Sequence, residues 1–248
     1  MINPFWNGVV GSFAAGMMAL LGGLPVFFFQ GISTKLYSVF LAFSAGVMVA
    51  ASFFSLIIPA LKAGNPFLVF AGILAGGVFI HYADLVVPHE HFLRGHEGPD
   101  SKKLRGMILL FLAMTIHNFP EGMAVGVSFH EGFSNGLIMA FGIGMQNIPE
   151  GMAVALPARG LGYSPAKAFL LTFISAIVEP IGGAIGAGLV MFAKPVLPFL
   201  MAFAAGAMLF VVSDEMIPES HGGGRERIAT FSFLIGLVLM MCLDVLLS

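Results

Sequence analysis

Apolar residues run along this chain in stretches of about 20 or more, separated by short polar stops. A hydrocarbon core of about 30 Å is crossed by roughly 20 helical residues. Eight such segments fit, near 4–29, 36–61, 66–87, 104–129, 135–158, 166–191, 195–219 and 228–247. The pattern predicts an all-α integral membrane protein of eight transmembrane helices, a single transmembrane domain over 1–248 with the lipid bilayer as its surroundings. No basic stretch precedes the first segment, which reads as a retained helix and not as a cleaved signal peptide.

Composition agrees with the pattern. Hydrophobic residues make up 58% and charged residues 10%, against roughly 25% charged in soluble domains. One cysteine, Cys242, excludes an intramolecular disulfide. The net charge of -2 says little where most of the surface faces lipid, and it calls for no nucleic-acid partner. The basic residues do set an orientation, because Lys and Arg accumulate in short cytoplasmic loops. Lys35, Arg94, Lys102, Lys103, Arg105, Arg159, Lys167, Arg225 and Arg227 follow the odd-numbered segments, and only Lys62 and Lys194 lie on the other side. Both termini should face outside and the 88–103 loop the cytoplasm, as in a plasma-membrane (inner-membrane) protein.

The second and seventh segments repeat one another, Ala42-Phe43-Ser44-Ala45-Gly46-Val47-Met48 matching Ala202-Phe203-Ala204-Ala205-Gly206-Ala207-Met208. The same offset pairs Asp84-Leu85-Val86 with Asp244-Val245-Leu246, and Ile58-Pro59 matches Ile217-Pro218 with one residue of slippage. Segments 1–3 thus resemble segments 6–8, and the orientation makes the repeat an inverted one. Inverted repeats are common in membrane transporters, with the substrate held near mid-depth. Segments 4 and 5 form a central hairpin, which gives a 3+2+3 arrangement.

Both halves of that hairpin carry one peptide at the middle, His117-Asn118-Phe119-Pro120-Glu121-Gly122 and Gln146-Asn147-Ile148-Pro149-Glu150-Gly151. Ionisable groups at bilayer depth are costly and mark ion or substrate paths. At 100° per residue, His117 and Asn118 fall about 40° and 60° to either side of Glu121 on one helix face, and Gln146 and Asn147 flank Glu150 in the same way. Two facing helices could therefore build a pair of neighbouring ion sites that share their glutamates. Pro120 and Pro149 have no N–H for the carbonyls of Ile116 and Met145, so kinks and free oxygens are expected there. Glu179-Pro180 repeats the device in the sixth segment. Imidazole favours zinc, iron, copper and nickel while carboxylate and amide oxygens favour harder cations, so the mixed set suits a borderline divalent ion. With no thiolate it should bind less tightly than a structural zinc site, which suits transit.

At these residues the chain resembles the ZIP family of divalent-metal transporters, most closely its prokaryotic GufA-like branch. The resemblance implies a binuclear centre at mid-membrane, one site drawing on Met48, His117, Glu121, Gln146 and Glu150 and the other on Asn118, Glu121, Asn147, Glu150 and Glu179. It implies transport of divalent metal into the cytoplasm as substrate, zinc foremost with iron, manganese and cadmium as further candidates. No organic cofactor is implied, and room is left for a homodimer. Gln146 stands where many members of the family carry His, a departure that bears on metal preference. Alternating exposure is expected from one repeat-derived bundle rocking against the other.

Further polar positions are candidates for the ion path. Ser55, beyond Met48 toward the outer face, is either an entrance residue or a serine bonded to its own helix backbone. Asp84 toward the cytoplasm and Asp244 toward the outside could recruit or release ions, or simply be solvated helix ends. Asp214, Glu215, Glu219 and His221 cluster where the seventh segment reaches the cytoplasm and are candidates for an exit. His89, His91 and His96 in the cytoplasmic loop could bind metal loosely. His81 and His130 read as interface residues. None of the His-Glu pairs extends to His-Glu-x-x-His, which argues against an intramembrane metalloprotease, and the amides beside both glutamates suit cations better than a proton relay. The chain is not expected to be an enzyme.

Overall fold

The computed structural model describes residues 3–31, 33–86, 89–91, 95–97, 106–160, 162–192, 194–222, 224 and 226–247. In lipid a backbone N–H or C=O has no water to turn to, so a spanning chain must close its hydrogen bonds within helices. This chain does so. α1 is Pro4–Gly23, followed by a 3-10 turn at Leu24–Phe27; α2 is Thr34–Ala50 and α3 Ile58–Ala63, joined by a π-helical stretch at Ala51–Ile57; α4 is Pro66–Val86. α5 (Gly106–Glu131) and α6 (Phe133–Gly160) form the hairpin. α7 (Pro165–Ala176) and α8 (Val178–Phe192) make one broken rod, α9 (Leu197–Val211) continues through a π-helical turn at Val212–Met216 into α10 (Ile217–Ser220), and α11 is Glu226–Leu247. Proline near the start of α1, α7 and α9, and the side chains of Asn3, Ser33 and Ser164 capping α1, α2 and α7, begin helices where the sequence places its polar stops.

Six of these stretches are long and apolar enough to cross a membrane among the described residues: Pro4–Phe27, Thr34–Ala63, Pro66–Ala83, Pro165–Phe192, Leu197–Ser220 and Glu226–Leu246. α5 and α6 are not among them; the apolar run of α6 is interrupted by Gln146, Asn147 and Glu150. Large apolar side chains such as Phe67, Leu74 and Phe192 stand exposed, as expected of a surface that meets lipid. One departure from an all-helical chain occurs among the described residues. The segment expected to be a floppy loop carries two short antiparallel strands, β1 (His89–His91) and β2 (Gly95–Glu97), with His89 opposite Glu97 and His91 opposite Gly95.

Close packing is built on glycines that meet carbonyls in reciprocal pairs. A Cβ on Gly46 of α2 would strike the Phe233 oxygen of α11, and one on Gly236 of α11 would strike the Phe43 oxygen of α2. Gly76 and Gly206 make the same exchange between α4 and α9, Gly122 and Gly182 between α5 and α8, and Gly22 and Gly151 between α1 and α6. Apolar side chains gain nothing by leaving lipid for one another, so small residues that bring backbones together carry helix association there. These contacts sort the helices into two groups. One holds α1, α5, α6, α7 and α8; the other holds α2, α3, α4, α9, α10 and α11. Across the boundary α2 packs on α6 and α5 on α9, and Gly142 of α6 meets the flexible side chain of Met240 in α11.

The expected division into two repeat halves is therefore not how the helices pack. The third helix of each repeat packs on the second helix of the other, α4 on α9 and α11 on α2, because that is where the glycines face carbonyls. The repeat itself leaves a local imprint. Both copies of the Ala-Phe-x-Ala-Gly-x-Met peptide lead into a π-helical stretch, Ala51–Ile57 and Val212–Met216, immediately before Ile58-Pro59 and Ile217-Pro218. A proline withholds the donor that an α-helix needs one turn back, and widening to a π turn absorbs the loss; such turns often mark functional positions.

Helical structure runs unbroken through Pro120 and Pro149, while the rod breaks at Ile177, ahead of Glu179-Pro180. The carbonyl of Ala176, to which Pro180 can give no N–H, faces Gly16 of α1.

Candidate metal centre

Glu121 of α5, Gln146 and Glu150 of α6 and Glu179 of α8 are all buried, Glu121, Gln146 and Glu179 completely. Both side-chain oxygens of Glu121 and of Glu150, both polar atoms of Gln146, and Oε2 of Glu179 have no hydrogen-bond partner of regular geometry. Gln146 lies beside Glu121 and Ser44 beside Glu150, and the three carboxylates are within electrostatic reach of one another. An unpaired polar group in an apolar interior costs several kcal/mol and an unpaired charge far more. A cluster of this kind must either take up protons or meet a cation, and its oxygens fit a divalent one.

The flanking amides are held in one sense. Asn118 Nδ2 donates to the Ser175 carbonyl at 2.9 Å and to Ser175 Oγ at 3.0 Å. Asn147 Nδ2 donates to the Ala15 carbonyl at 2.9 Å and to Glu179 Oε1 at 2.8 Å. A carbonyl oxygen can only accept, so the NH2 end of each amide is fixed there and each Oδ1 is turned away from it. Asn118, Asn147, Glu150, Thr172 and Ser175 share the wall of a cavity of about 10 Å3 with Ala19, Gly151 and Val154, room for about one water-sized guest. Among the described residues no three His, Cys, Asp or Glu side chains form a metal-binding group by themselves. An ion held here would need further donors, and the Oδ1 atoms of Asn118 and Asn147 are available for that.

The centre lies against the boundary between the two helix groups, and polar contacts of Ser44 and His117 cross that boundary. Ser44 Oγ of α2 donates to the Gln146 carbonyl at 3.2 Å. His117 Nε2 of α5 is 2.9 Å from Glu215 Oε2, in the π-helical turn after α9. Met48 is buried in α2 within the apolar core.

The residues expected along a path fall into separate places. Ser55 Oγ donates to Asp244 Oδ1 at 2.6 Å, bonding the neighbouring helix and not its own backbone. The expected cluster at the end of the seventh segment does not converge: Asp214 is exposed, Glu215 turns to His117, Glu219 is buried beside Tyr37, and His221 bonds the Ile217 carbonyl and Thr230. His81 is exposed and stacks on Tyr82. His130 is half-buried and lines a cavity with Asn3 and Asn7. The side chains of Asp84, His89, His91 and His96 lie outside the described residues.

Four contributors went unread in the sequence: Ser44, Tyr37, Thr172 and Ser175. Ser175 and Thr172 lie four and seven residues before Glu179, a spacing that puts them on its side of the helix and could have marked them. Ser44, four residues before Met48, carries the same signal; no comparable one marks Tyr37.

Apolar helices joined by glycine contacts around buried carboxylates and oriented amides define a membrane protein with a buried polar centre. A model of the family described as ZIP Zinc transporter matches residues 86–244. The chain is 43% identical to the zinc transporter GufA of Myxococcus xanthus over 96% of its own length and 97% of that protein. It is 39% identical to the zinc transporter ZIPB of Bordetella bronchiseptica, over 95% of this chain and 80% of that one, and 32% identical to human zinc transporter ZIP11 over 98% of each. The chain belongs to the ZIP family, as its paired motif implied. Members of this family are transporters, and the chain is not an enzyme.

Proposed function

We propose that this protein carries zinc across the plasma membrane into the cytoplasm, with iron, manganese and cadmium as lesser substrates. Its eight rods would span the bilayer as 3+2+3, with both termini outside and the inverted repeats flanking the α5–α6 hairpin. Two ions would share Glu121 and Glu150 at mid-depth. Met48, His117 and Gln146 complete one site, and Asn118, Asn147 and Glu179 the other. The observation that supports this reading is that α5, α6 and α8 bring buried carboxylate oxygens without a regular hydrogen-bond partner within electrostatic reach of one another. Ions enter past Ser55 and Asp244 and leave past Glu215 and Glu219, with Asp84, Asp214 and His221 nearer the inner surface. The same reading leaves the protein compatible with a homodimer.

The test is zinc uptake by proteoliposomes. Loss of flux in Glu150→Ala, with the unaltered protein active, supports the reading; equal flux overturns it. At Gln146 the chain lacks an imidazole, so Gln146→His is expected to raise preference for zinc over manganese by about tenfold. An unchanged order of metals in competition uptake would count against Gln146 as a ligand.

Alternating access would move the two helix groups against each other, since the glycine-to-carbonyl contacts among the described residues fall within the groups and side chains fill the boundary. Gly142→Cys with Met240→Cys, in a Cys242→Ser background, places a disulfide across that boundary. Oxidation is expected to stop zinc flux and reductant to restore it. Full flux in the oxidised, crosslinked protein would show that this boundary does not move.

A further inference from the structure

Where the boundary between the two helix groups reaches one end of the molecule, it opens into a cavity of about 300 Å3. One group supplies Ser55, Lys62 and Asp244 to its wall, and the other supplies Glu131 and Asn135 from the α5–α6 turn. Asp244 and Glu131 are half-buried, and Lys62 is exposed on the last turn of α3. On this side of the predicted membrane the loops hold few basic residues, and one of them has been placed in the mouth with both carboxylates.

We propose that Lys62 is a tethered cation that competes with the entering divalent ion for Asp244 and Glu131, and so sets the apparent affinity at this mouth. The proposal rests on the transport reading above. The lysine ammonium is a compact, strongly hydrated charge on a flexible stem, so it can fold over the carboxylates or swing out to let an ion pass. While it is folded in, it neutralises the attraction that would gather cations and repels a second positive charge. Clefts lined by one sign of charge raise local ion concentration, and an opposing charge cancels that focusing.

The experiment measures zinc flux against outside zinc concentration in proteoliposomes with the protein in one orientation, for the unaltered chain, Lys62→Gln and Lys62→Glu. At low ionic strength the KM of Lys62→Gln should fall about two- to fivefold with Vmax unchanged, and that of Lys62→Glu should fall further. In about 1 M potassium chloride, where the screening length is about 3 Å, the three KM values should converge. Lys35→Gln, at the opposite end of α2, should leave KM as it was. An unchanged KM for Lys62→Gln at low salt, or a difference that persists in high salt, overturns the proposal alone. No flux from the unaltered chain overturns the transport reading and this proposal with it.

Discussion

Glu121→Gln is expected to reduce zinc uptake at least about 100-fold while leaving the metal-free protein no less stable to heat. Glu121 is completely buried and neither carboxylate oxygen has a regular hydrogen-bond partner. Glu150 and Glu179 stand within electrostatic reach. As a source of structure, such a group is a liability: taking a charge from water is costly, and like charges nearby add to the cost. A divalent cation reverses the balance, because it meets several oxygens at once in surroundings that screen little. The amide keeps the shape of the side chain and removes the charge. Losing a group that only orients a metal ligand costs metal sites about 10- to 100-fold in affinity or activity, and the loss of a carboxylate proposed to touch the ions directly should reach at least that upper figure. The measurement is uptake together with a thermal melt in chelator. Unimpaired flux would remove Glu121 from the centre; a large fall in melting temperature would make it a structural residue.

Two adjacent glycines in α4 should behave in opposite ways. Gly76→Ala is expected to destabilise the protein by about 2–3 kcal/mol, the upper range for overpacking a closely fitted interior. Its Cβ would collide with the Phe203 carbonyl and approach the Ala207 nitrogen to 2.7 Å. Backbone cannot yield as a side chain can, so α4 must be displaced from α9. Gly77→Ala, one residue on, places its Cβ 3.6 Å from the Phe210 ring, an ordinary contact. There the gain in helix propensity, up to about 1 kcal/mol, should leave stability equal or higher. Denaturation of both variants in detergent, followed by circular dichroism, decides the matter. Equal behaviour would show that the glycine contacts do not hold α4 to α9.

Much of the helical layout was legible because lipid imposes a simple rule, a long apolar run closed by polar stops, and the stretches at Thr34–Ala63 and Leu197–Ser220 follow it within a few residues. The centre was legible for a related reason. Glu121, Glu150 and Glu179 are conspicuous in an apolar chain, and helix periodicity puts His117, Asn118, Gln146 and Asn147 beside them. Periodicity identifies the face of a helix but not its neighbour. The contact of His117 with Glu215 spans 98 residues, and that of Ser44 with Gln146 spans 102. Glu215 and Glu219 read as part of one exit cluster with Asp214 and His221 because their spacing gives no sign that the chain through the π-helical turn at Val212–Met216 buries these two and leaves Asp214 exposed.

The sequence by itself determined that this chain meets lipid along most of its length, that its backbone is helical, and that carboxylates and amides lie midway along paired helices. Those outcomes depend on residue type and spacing alone. The tertiary structure decided which helices pack together and what each polar side chain touches: the exchange of α4 and α11 between repeats, the fixed sense of the Asn118 and Asn147 amides, and the pairing of Ser55 with Asp244. Each depends on two backbones coming close enough for a glycine to meet a carbonyl or a side chain to reach another helix, and that distance is set by the packed whole.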